Sequence, residues 1–218
     1  MSGGRFTAVG VLGGTFDPIH HGHLRSALEL SEALVLAQLR LMPSAQPPHR
    51  ELPGCSAQQR AAMVEMAVAS EPRLSCDLRE LRREGPSFTI DSLIELRREL
   101  ADDESLCLIM GCDALLELDS WHRWQELLDW AHVVVIARPG WRLPERGPVA
   151  QWIKTHALPG VSGITERPAG GVLISELRLL PISSTEIRAK LASGHSVRYL
   201  MPESVLDYIT THKLYLAP

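Results

Sequence analysis

The spacing of apolar residues alternates along the chain between strand-like runs and a helical period. Continuous apolar runs predict buried strands over 7–12, 39–42, 105–110 and 132–137, and extended segments over 74–81, 172–175 and 177–182. Helical spacing predicts helices over 22–37 and 57–69, a helix from Thr89 to about Leu100, a Trp-rich helical segment from Trp121, and two helices at the end of the chain. Strands that alternate with helices favour an α/β fold with a Rossmann-like, doubly wound parallel sheet, helices on both faces and a helical C-terminal extension. We expect one domain over 1–218, with 183–218 as a helical C-terminal subdomain.

Polar residues follow the predicted strands where each strand ends. They are the segment 13–17, a proline-rich loop at 43–50, Gly111-Cys112-Asp113 as a glycine turn, and Arg138. Ligands of doubly wound sheets bind beyond the carboxyl ends of the strands, where the strand order reverses. We therefore expect the functional site at this edge of the sheet.

The first strand leads into Gly13-Gly14-Thr15-Phe16-Asp17-Pro18-Ile19-His20-His21-Gly22-His23. Two glycines allow a ligand to approach the backbone closely, and a helix that begins near Gly22 directs its amides toward an anion. His20 precedes that helix and His23 lies in its first turn, so both imidazoles are candidate donors to phosphate oxygens. A metal site built from the three histidines is less favoured, because only Asp17 is available to complete the ligand set. The alternative without function is a pair of surface histidines near a helix start.

A second helix start, Ile182-Ser183-Ser184-Thr185-Glu186-Ile187-Arg188, has the pattern of a capping box with Ser183 as N-cap and Glu186 at N3. That pattern explains the stretch structurally, but it does not account for the additional hydroxyls of Ser184 and Thr185 or for Arg188. Amides, hydroxyls and a guanidinium at one helix terminus can bind an anion. Two such helix starts together suit a triphosphate.

Composition excludes several classes of protein. The chain has 218 residues, 45% of them hydrophobic and 22% charged, which is typical of a globular protein. A net charge of −4 argues against a general nucleic-acid-binding protein. The sequence has no membrane-length apolar run, no signal-peptide pattern and no Cys-x-x-Cys pair, so we expect a cytoplasmic protein. The sequence leaves open whether the chain forms a homo-oligomer.

The two motifs together resemble those of the bacterial nicotinate mononucleotide adenylyltransferases, within the His-x-Gly-His nucleotidyltransferase superfamily. The resemblance extends along the chain through the segments Pro47-Pro48-His49-Arg50, Pro86-Ser87-Phe88-Thr89, Gly111-Cys112-Asp113, Trp121 and Arg138-Pro139-Gly140. It implies transfer of AMP from ATP to nicotinate mononucleotide, which gives nicotinate adenine dinucleotide and pyrophosphate in NAD biosynthesis. It also implies Mg²⁺ bound with ATP, and no nucleic-acid or membrane partner.

The resemblance further implies residue roles. His20, His23 and Arg188 would be the catalytic residues, because they contact the ATP phosphates. The remaining ATP-binding positions would be Gly13, Gly14, Thr15, Phe16, Arg50, Gly111, Asp113, Ser183, Ser184 and Thr185. Asp113 would accept from the ribose hydroxyls, and Arg50 occupies a position where relatives often carry Lys.

Nicotinate mononucleotide would bind at Asp17, Ser44, Phe88, Thr89, Trp121 and Arg138. The helix that begins at Thr89 offers amides to the ring carboxylate, Trp121 would stack on the pyridine ring, and Arg138 would pair with the phosphate. The chain contains no Asn. A contact that relatives make through an Asn before Pro47 would therefore pass to Ser44 or Gln46, and His122 replaces an aromatic residue that some relatives carry.

Two alternatives remain. The first is an adenylyltransferase that accepts nicotinamide mononucleotide or phosphopantetheine, and the second is a non-catalytic nucleotide-binding module. An aminoacyl-tRNA synthetase shares the His-x-Gly-His pattern, but the chain is too short and too acidic for one. The Phe88-Thr89 turn, Trp121 and Arg138-Pro139-Gly140 favour nicotinate mononucleotide as the acceptor.

Overall fold

The sheet follows the predicted α/β pattern. The computed structural model describes residues 6–46 and 54–216. Within them, six strands form a parallel sheet in the order β3-β2-β1-β4-β5-β6. These strands are β1 (Thr7–Gly14), β2 (Gln38–Pro43), β3 (Leu74–Cys76), β4 (Glu104–Gly111), β5 (His132–Ala137) and β6 (Val172–Glu176). The strand order reverses between β1 and β4, as it does at the ligand-binding crevice of doubly wound sheets.

The helices lie between and after the strands. They are α1 (His21–Ala33), α2 (Ala57–Val68), α3 (Arg79–Arg82), α4 (Thr89–Glu99), α5 (Cys112–Leu116), α6 (Leu127–Trp130), α7 (Pro148–His156), α8 (Ser184–Ala192) and α9 (Glu203–Thr211). Helices α8 and α9 confirm the predicted helical end of the chain. Across the described ranges, no helix has both the length and the apolar composition that crossing a bilayer requires.

The described chain divides into two compact units. The first comprises residues 6–13, 30–39 and 88–178, and the second comprises residues 14–29, 40–46, 54–87 and 179–216. The expected single domain, with 183–218 as a subdomain, stays a prediction.

The core of the first unit is formed by β4 and β5, and all six residues of β5 are buried. Gly10 lies on β1 where a Cβ atom would come within 2.7 Å of the Leu36 side chain, so a glycine permits this packing.

His132 is fully buried, and its Nδ1 accepts from Gly171 N at 3.1 Å. Its Nε2 therefore carries the hydrogen and donates to Arg167 O at 2.9 Å.

In the second unit, α2 begins with a side-chain N-cap, Ser56. Ser56 and Gln59 form a capping box, in which the Ser56 side chain accepts from Gln59 N and the Gln59 side chain accepts from Ser56 N. Arg60, in the first turn of this helix, is 1% exposed. The apolar side of α2 therefore includes a buried cation, which the hydrophobic pattern does not predict.

Two of the predicted extended segments are wrong. The segment 74–81 is a strand only as far as Cys76, because Asp77 accepts from the backbone and the guanidinium of Arg79 and starts the turn into α3. The segment 177–182 is not a strand. The Leu177 amide still donates to Ala137 O at 3.0 Å. Beyond it the chain turns, because Ile182 N donates to Leu180 O at 2.8 Å and closes a tight turn.

Three further boundaries differ from the prediction. Helix α1 ends at Ala33 rather than near 37, because Val35 adopts a left-handed φ of 53°. The Trp-rich segment is not one helix: Arg123 has a φ of 53° and separates the 3₁₀ turn Leu118–Ser120 from the next turn. Gly111 ends β4 with a φ of −75° and is directly followed by α5, so the predicted glycine turn is absent there.

Candidate active site

The two motif histidines lie against each other at the start of α1. Their rings stack with centroids 3.7 Å apart and planes inclined by 20°, and the Phe16 ring meets His23 edge-on at 5.1 Å. Helix α1 begins at His21, which confirms that His20 lies before the helix. The stack places two imidazole edges side by side, as a pair of donors to neighbouring phosphate oxygens requires.

Two glycines make this arrangement possible. A Cβ atom at position 14 would lie 2.8 Å from the Phe16 ring, and one at position 22 would lie 2.9 Å from the His20 ring and 3.3 Å from Ile182 O. The distances to the two rings are shorter than van der Waals contact allows. Gly13 is exposed and a Cβ atom there would meet no atom within 4 Å, so this stretch of backbone is open to a ligand.

His20 is a neutral donor in the free protein. Its side chain is 4% exposed, and its Nδ1 accepts from His23 N at 3.4 Å, which assigns the hydrogen to Nε2. Burial, assisted by the neighbouring His21, lowers the pKa of His20 to about 4. At neutral pH the ring therefore offers an N–H group without a positive charge.

The second predicted anion site lies beside the first motif within the same unit. Ser183 caps α8 by accepting from Glu186 N at 3.2 Å, as predicted. Ser184 Oγ donates to Pro18 O at 2.9 Å, and Arg188 Nη1 donates to Asp17 O at 2.7 Å. These two bonds join the first turns of α8 to the segment before α1. Ser183 and Thr185 are exposed at the same helix start.

Asp17 is buried and is surrounded by donors from distant parts of the chain. Its Oδ2 accepts from Gly54 N at 2.8 Å, and its Oδ1 accepts from the Tyr215 hydroxyl at 2.7 Å and lies 3.3 Å from Cys55 Sγ. Arg188 Nη1 lies 3.7 Å from Oδ2. The contact of Asp17 with nicotinate mononucleotide stays a prediction.

The buried Arg60 is a site residue that the sequence reasoning missed. Its Nη1 donates to Thr15 O at 2.7 Å, and its Nη2 lies 3.4 Å from Ala45 O. It therefore holds the turn after β1 and the loop after β2 to one helix. An arginine in an amphipathic helix usually indicates the solvent face, so the sequence pattern contained no signal for this role.

The loop after β2 is held by backbone and hydroxyl bonds. Ser44 N donates to Gly14 O at 2.9 Å, and the Ser44 hydroxyl lies 3.4 Å from the same oxygen. Ser87 Oγ accepts from the amides of Ala45 and Gln46, each at 3.1 Å. Arg50, with the rest of Pro47-Pro48-His49-Arg50, lies outside the described residues, and its predicted role is untested.

In the first unit, the ends of β4 and β5 bring two predicted residues together. Arg138 Nη2 lies 3.9 Å from Asp113 Oδ2, and both side chains are exposed, at 68% and 86%. Such a long surface pair contributes little to stability, so both groups are available to a ligand. Gly111 is exposed and has no atom within 4 Å of a Cβ position.

The remaining predicted residues of the first unit surround the start of α4. Phe88 is the N-cap residue, Thr89 is the first helical residue, and no side chain caps this terminus in the part of the chain that is described. The Phe88 and His122 rings lie 4.4 Å apart at 33°. Trp121 is half-buried and precedes His122. No three His, Cys, Asp or Glu side chains form a metal-ligand group within 6–46 and 54–216.

Comparison with known proteins identifies the family. Residues 11–190 match the family model described as cytidylyltransferase-like. The chain is 50% identical over 207 residues to the "Probable nicotinate-nucleotide adenylyltransferase" of Aeromonas hydrophila, covering 95% of this chain and 96% of that one. A protein of the same name from Cellvibrio japonicus is 50% identical over 208 residues, covering 95% and 98%.

The chain belongs to the nicotinate-nucleotide adenylyltransferase family. A solved member from Plasmodium falciparum, a nicotinic acid mononucleotide adenylyltransferase complexed with NaAD, shares the fold with a TM-score of 0.70. It is 18% identical, and the match covers 96% of this chain and 97% of that one. The family fold therefore confirms the Rossmann-like sheet that the sequence pattern predicted.

Proposed function

We propose that this chain carries out the reaction for which its family is named, within NAD biosynthesis. It transfers AMP from ATP to nicotinate mononucleotide and releases pyrophosphate. The observation that supports this most strongly is the stacked pair His20 and His23 beside the start of α8, where Arg188 lies. Two anion-binding helix starts within one unit match the several phosphate groups of ATP.

The reaction is an in-line displacement at the α-phosphorus of ATP. A phosphate oxygen of nicotinate mononucleotide forms the new P–O bond, while the bond from the α-phosphorus to the oxygen that bridges to the β-phosphorus breaks. Pyrophosphate leaves with that electron pair. Because the nucleophile is already an anion at neutral pH, the reaction needs no general base and no covalent enzyme intermediate. The protein contributes alignment and stabilisation of charge on the phosphoryl oxygens.

Residues of the two helix starts, at α1 and α8, are the proposed phosphate contacts. His20 donates its Nε2–H, His23 donates from the adjacent ring, and Arg188 with the exposed start of α8 holds the β- and γ-phosphates. A polyanion near His20 favours the protonated ring, because an opposite charge raises the pKa of an imidazole. Phosphate binding therefore shifts the pKa of His20 upward from its lowered value in the free protein. The other proposed ATP contacts are Phe16, the backbone of Gly14 and Thr15, the hydroxyls of Ser183, Ser184 and Thr185, and Arg50.

Residues at the ends of β4 and β5 and at the start of α4 are the proposed contacts to the two nucleoside parts. Asp113 accepts from the ribose hydroxyls of adenosine, and Gly111 and Gly13 allow close approach of the nucleotide. Arg138 pairs with the phosphate of nicotinate mononucleotide, and Trp121 stacks on its ring. The uncapped amides at Thr89 bind the ring carboxylate, which favours nicotinate over nicotinamide. Ser44 or Gln46 takes over the contact that relatives make through an Asn in this loop.

Mg²⁺ enters with ATP and neutralises charge on the phosphates when it is bound. Asp17 is the carboxylate of the opening motif, and it already accepts hydrogen bonds from Gly54 and Tyr215. The motif therefore fits a metal that ATP carries better than a metal that the protein itself holds. The proposed location is the cytoplasm, where the nucleotide substrates are found.

Incubation of the purified protein with MgATP and nicotinate mononucleotide tests the proposal. We expect nicotinate adenine dinucleotide and pyrophosphate in equal amounts, measured by chromatography and by coupled detection of pyrophosphate. Omission of nicotinate mononucleotide is the control, and it should abolish both products. Pyrophosphate release that does not depend on an acceptor would contradict the proposed reaction.

A further inference from the structure

Asp17 places a buried carboxylate inside a motif that binds anions. Its side chain is 6% exposed, yet it lies three residues before His20 and in contact with Arg188. A carboxylate at this position opposes polyphosphate binding in two ways. It repels the phosphates, and it competes with them for the Arg188 guanidinium.

The donors that satisfy Asp17 come from two distant segments. Tyr215, near the end of the chain, donates to Oδ1 at 2.7 Å, and the Gly54 amide donates to Oδ2 at 2.8 Å. Cys55 Sγ lies 2.9 Å from the Tyr215 hydroxyl. Burial raises the pKa of Tyr215 well above its ordinary value and that of Cys55 to about 12, so both groups keep their hydrogens at neutral pH.

The packing around Tyr215 is close and specific. A Cβ atom at position 54 would lie 2.9 Å from the Tyr215 ring and 3.5 Å from Arg188 Cδ. Glycine at this position therefore lets the Tyr215 ring approach the backbone that donates to Asp17. The same contact places Tyr215 next to the side chain of Arg188.

Arg188 makes its direct bond to the main chain and not to the carboxylate. Its Nη1 lies 2.7 Å from Asp17 O but 3.7 Å from Oδ2, which is too far for a good hydrogen bond. The side chain is 35% exposed, so the rest of the guanidinium is accessible. The carboxylate oxygens that could attract it are occupied by Tyr215 and Gly54.

We propose that Tyr215 is a positioning residue for ATP: its hydroxyl occupies Asp17 Oδ1 and thereby keeps the Arg188 guanidinium available to phosphate. Without this hydroxyl, Oδ1 keeps only its longer bond from the Cys55 thiol, at 3.3 Å. The carboxylate then attracts Arg188 more strongly, and Arg188 binds ATP less well. This inference rests on the proposed function in one respect, the contact of Arg188 with the ATP phosphates.

Equilibrium titration with MgATP tests the inference in Tyr215→Phe, with Tyr208→Phe as the matched control. Tyr208 also lies near the end of the chain, and its ring packs on His212 rather than on the Asp17 cluster. We expect Tyr215→Phe to weaken ATP binding about tenfold, the effect of one lost hydrogen bond to a charged group. Tyr208→Phe should bind ATP like the wild-type protein.

A double variant separates positioning from mere structural support. Asn at position 17 cannot form an ion pair with Arg188, so Tyr215→Phe should change ATP affinity less than about twofold in an Asp17→Asn background. Equal losses in both backgrounds would overturn the inference. A lower midpoint of thermal unfolding with unchanged ATP affinity in Tyr215→Phe would overturn it as well.

The binding readout keeps this test distinct from that of the proposed function. A wild-type protein that binds ATP but makes no dinucleotide would overturn the proposed function, while the dissociation constants of the variants would still decide the role of Tyr215. Normal dinucleotide formation with unchanged ATP affinity in Tyr215→Phe would overturn only the inference.

Discussion

At the scale of single residues, the stacked histidines are the proposed donors to the ATP phosphates. We expect His20→Ala or His23→Ala to lower kcat about 10²- to 10³-fold, as loss of one preorganised donor to a charged transition state does. His21→Ala is the control, because His21 lies between them in sequence but outside the ring stack. Steady-state pyrophosphate release measures the effect. A His21 variant as impaired as the other two would contradict this assignment.

The pKa of His20 also makes a prediction about stability. Unfolded His20 binds a proton below about pH 6.5, whereas the folded protein binds it only below about pH 4. The unfolded state therefore binds more protons in between, and stability falls as the pH falls through this window. Between pH 7 and pH 5 the loss from this residue amounts to about 2 kcal/mol.

Denaturant unfolding of the wild-type protein and of His20→Gln at both pH values measures this contribution. The variant should lose about 2 kcal/mol less than the wild-type protein over the same interval. The buried His132, whose pKa burial also lowers, is present in both proteins and cancels in the comparison. Equal pH dependence of the two proteins would show that His20 titrates normally.

The sequence predicted candidate site residues that stand at recognisable helix starts. It did not predict those that reach the site through tertiary contacts. His20, His23, Ser183 and Arg188 follow from their positions at two helix starts. Tyr215 did not, because its partner Asp17 is 198 residues away in sequence. No periodicity or capping rule links positions so far apart.

At the scale of elements, the turn from β1 into α1 depends on Gly22. Alanine there would favour the helix by propensity, but its Cβ would displace the His20 ring. We expect Gly22→Ala to lower kcat at least about tenfold, because small misplacements of catalytic groups are costly. The control is Gly160→Ala, since a Cβ at position 160 would meet no atom within 4 Å. An active Gly22→Ala enzyme would show that the His20 ring need not be held in this place.

Helix α2 holds two loops through the buried Arg60. Arg60→Met removes the donor to Thr15 O and leaves that part-buried carbonyl without this bond, so we expect a loss of about 1–3 kcal/mol of unfolding free energy. Arg98→Met, at an exposed position of α4, should change stability by less than about 0.5 kcal/mol. Chemical denaturation checks both, and equal stability of the two variants would contradict the anchoring role.

Element boundaries show why sequence patterns predict some features better than others. The buried strand 132–137 was predicted with its bounds, because a continuous apolar run fits only a fully buried strand there. The segment 177–182 has a similar apolar content, but the turn at Leu180 and Ile182 prevents a ladder. Left-handed residues such as Arg123 also end helices without a glycine to indicate them.

At the scale of the whole molecule, the strand order and the family membership agree with the α/β prediction. Under the proposed roles, the opening motif and α8 bind the triphosphate, whereas Thr89, Trp121 and Arg138 select the acceptor. The sequence motifs alone therefore predict the type of reaction more directly than the second substrate.

A comparison of acceptors tests the central claim most directly. With MgATP, the initial rate of pyrophosphate release should be measured separately for nicotinate mononucleotide, nicotinamide mononucleotide and phosphopantetheine. We predict the largest kcat/KM with nicotinate mononucleotide, about ten- to thirtyfold above that with nicotinamide mononucleotide, as a helix terminus that favours a carboxylate would give. Equal values for the two mononucleotides would contradict the role of the α4 terminus, and no release with any acceptor would contradict the assigned reaction.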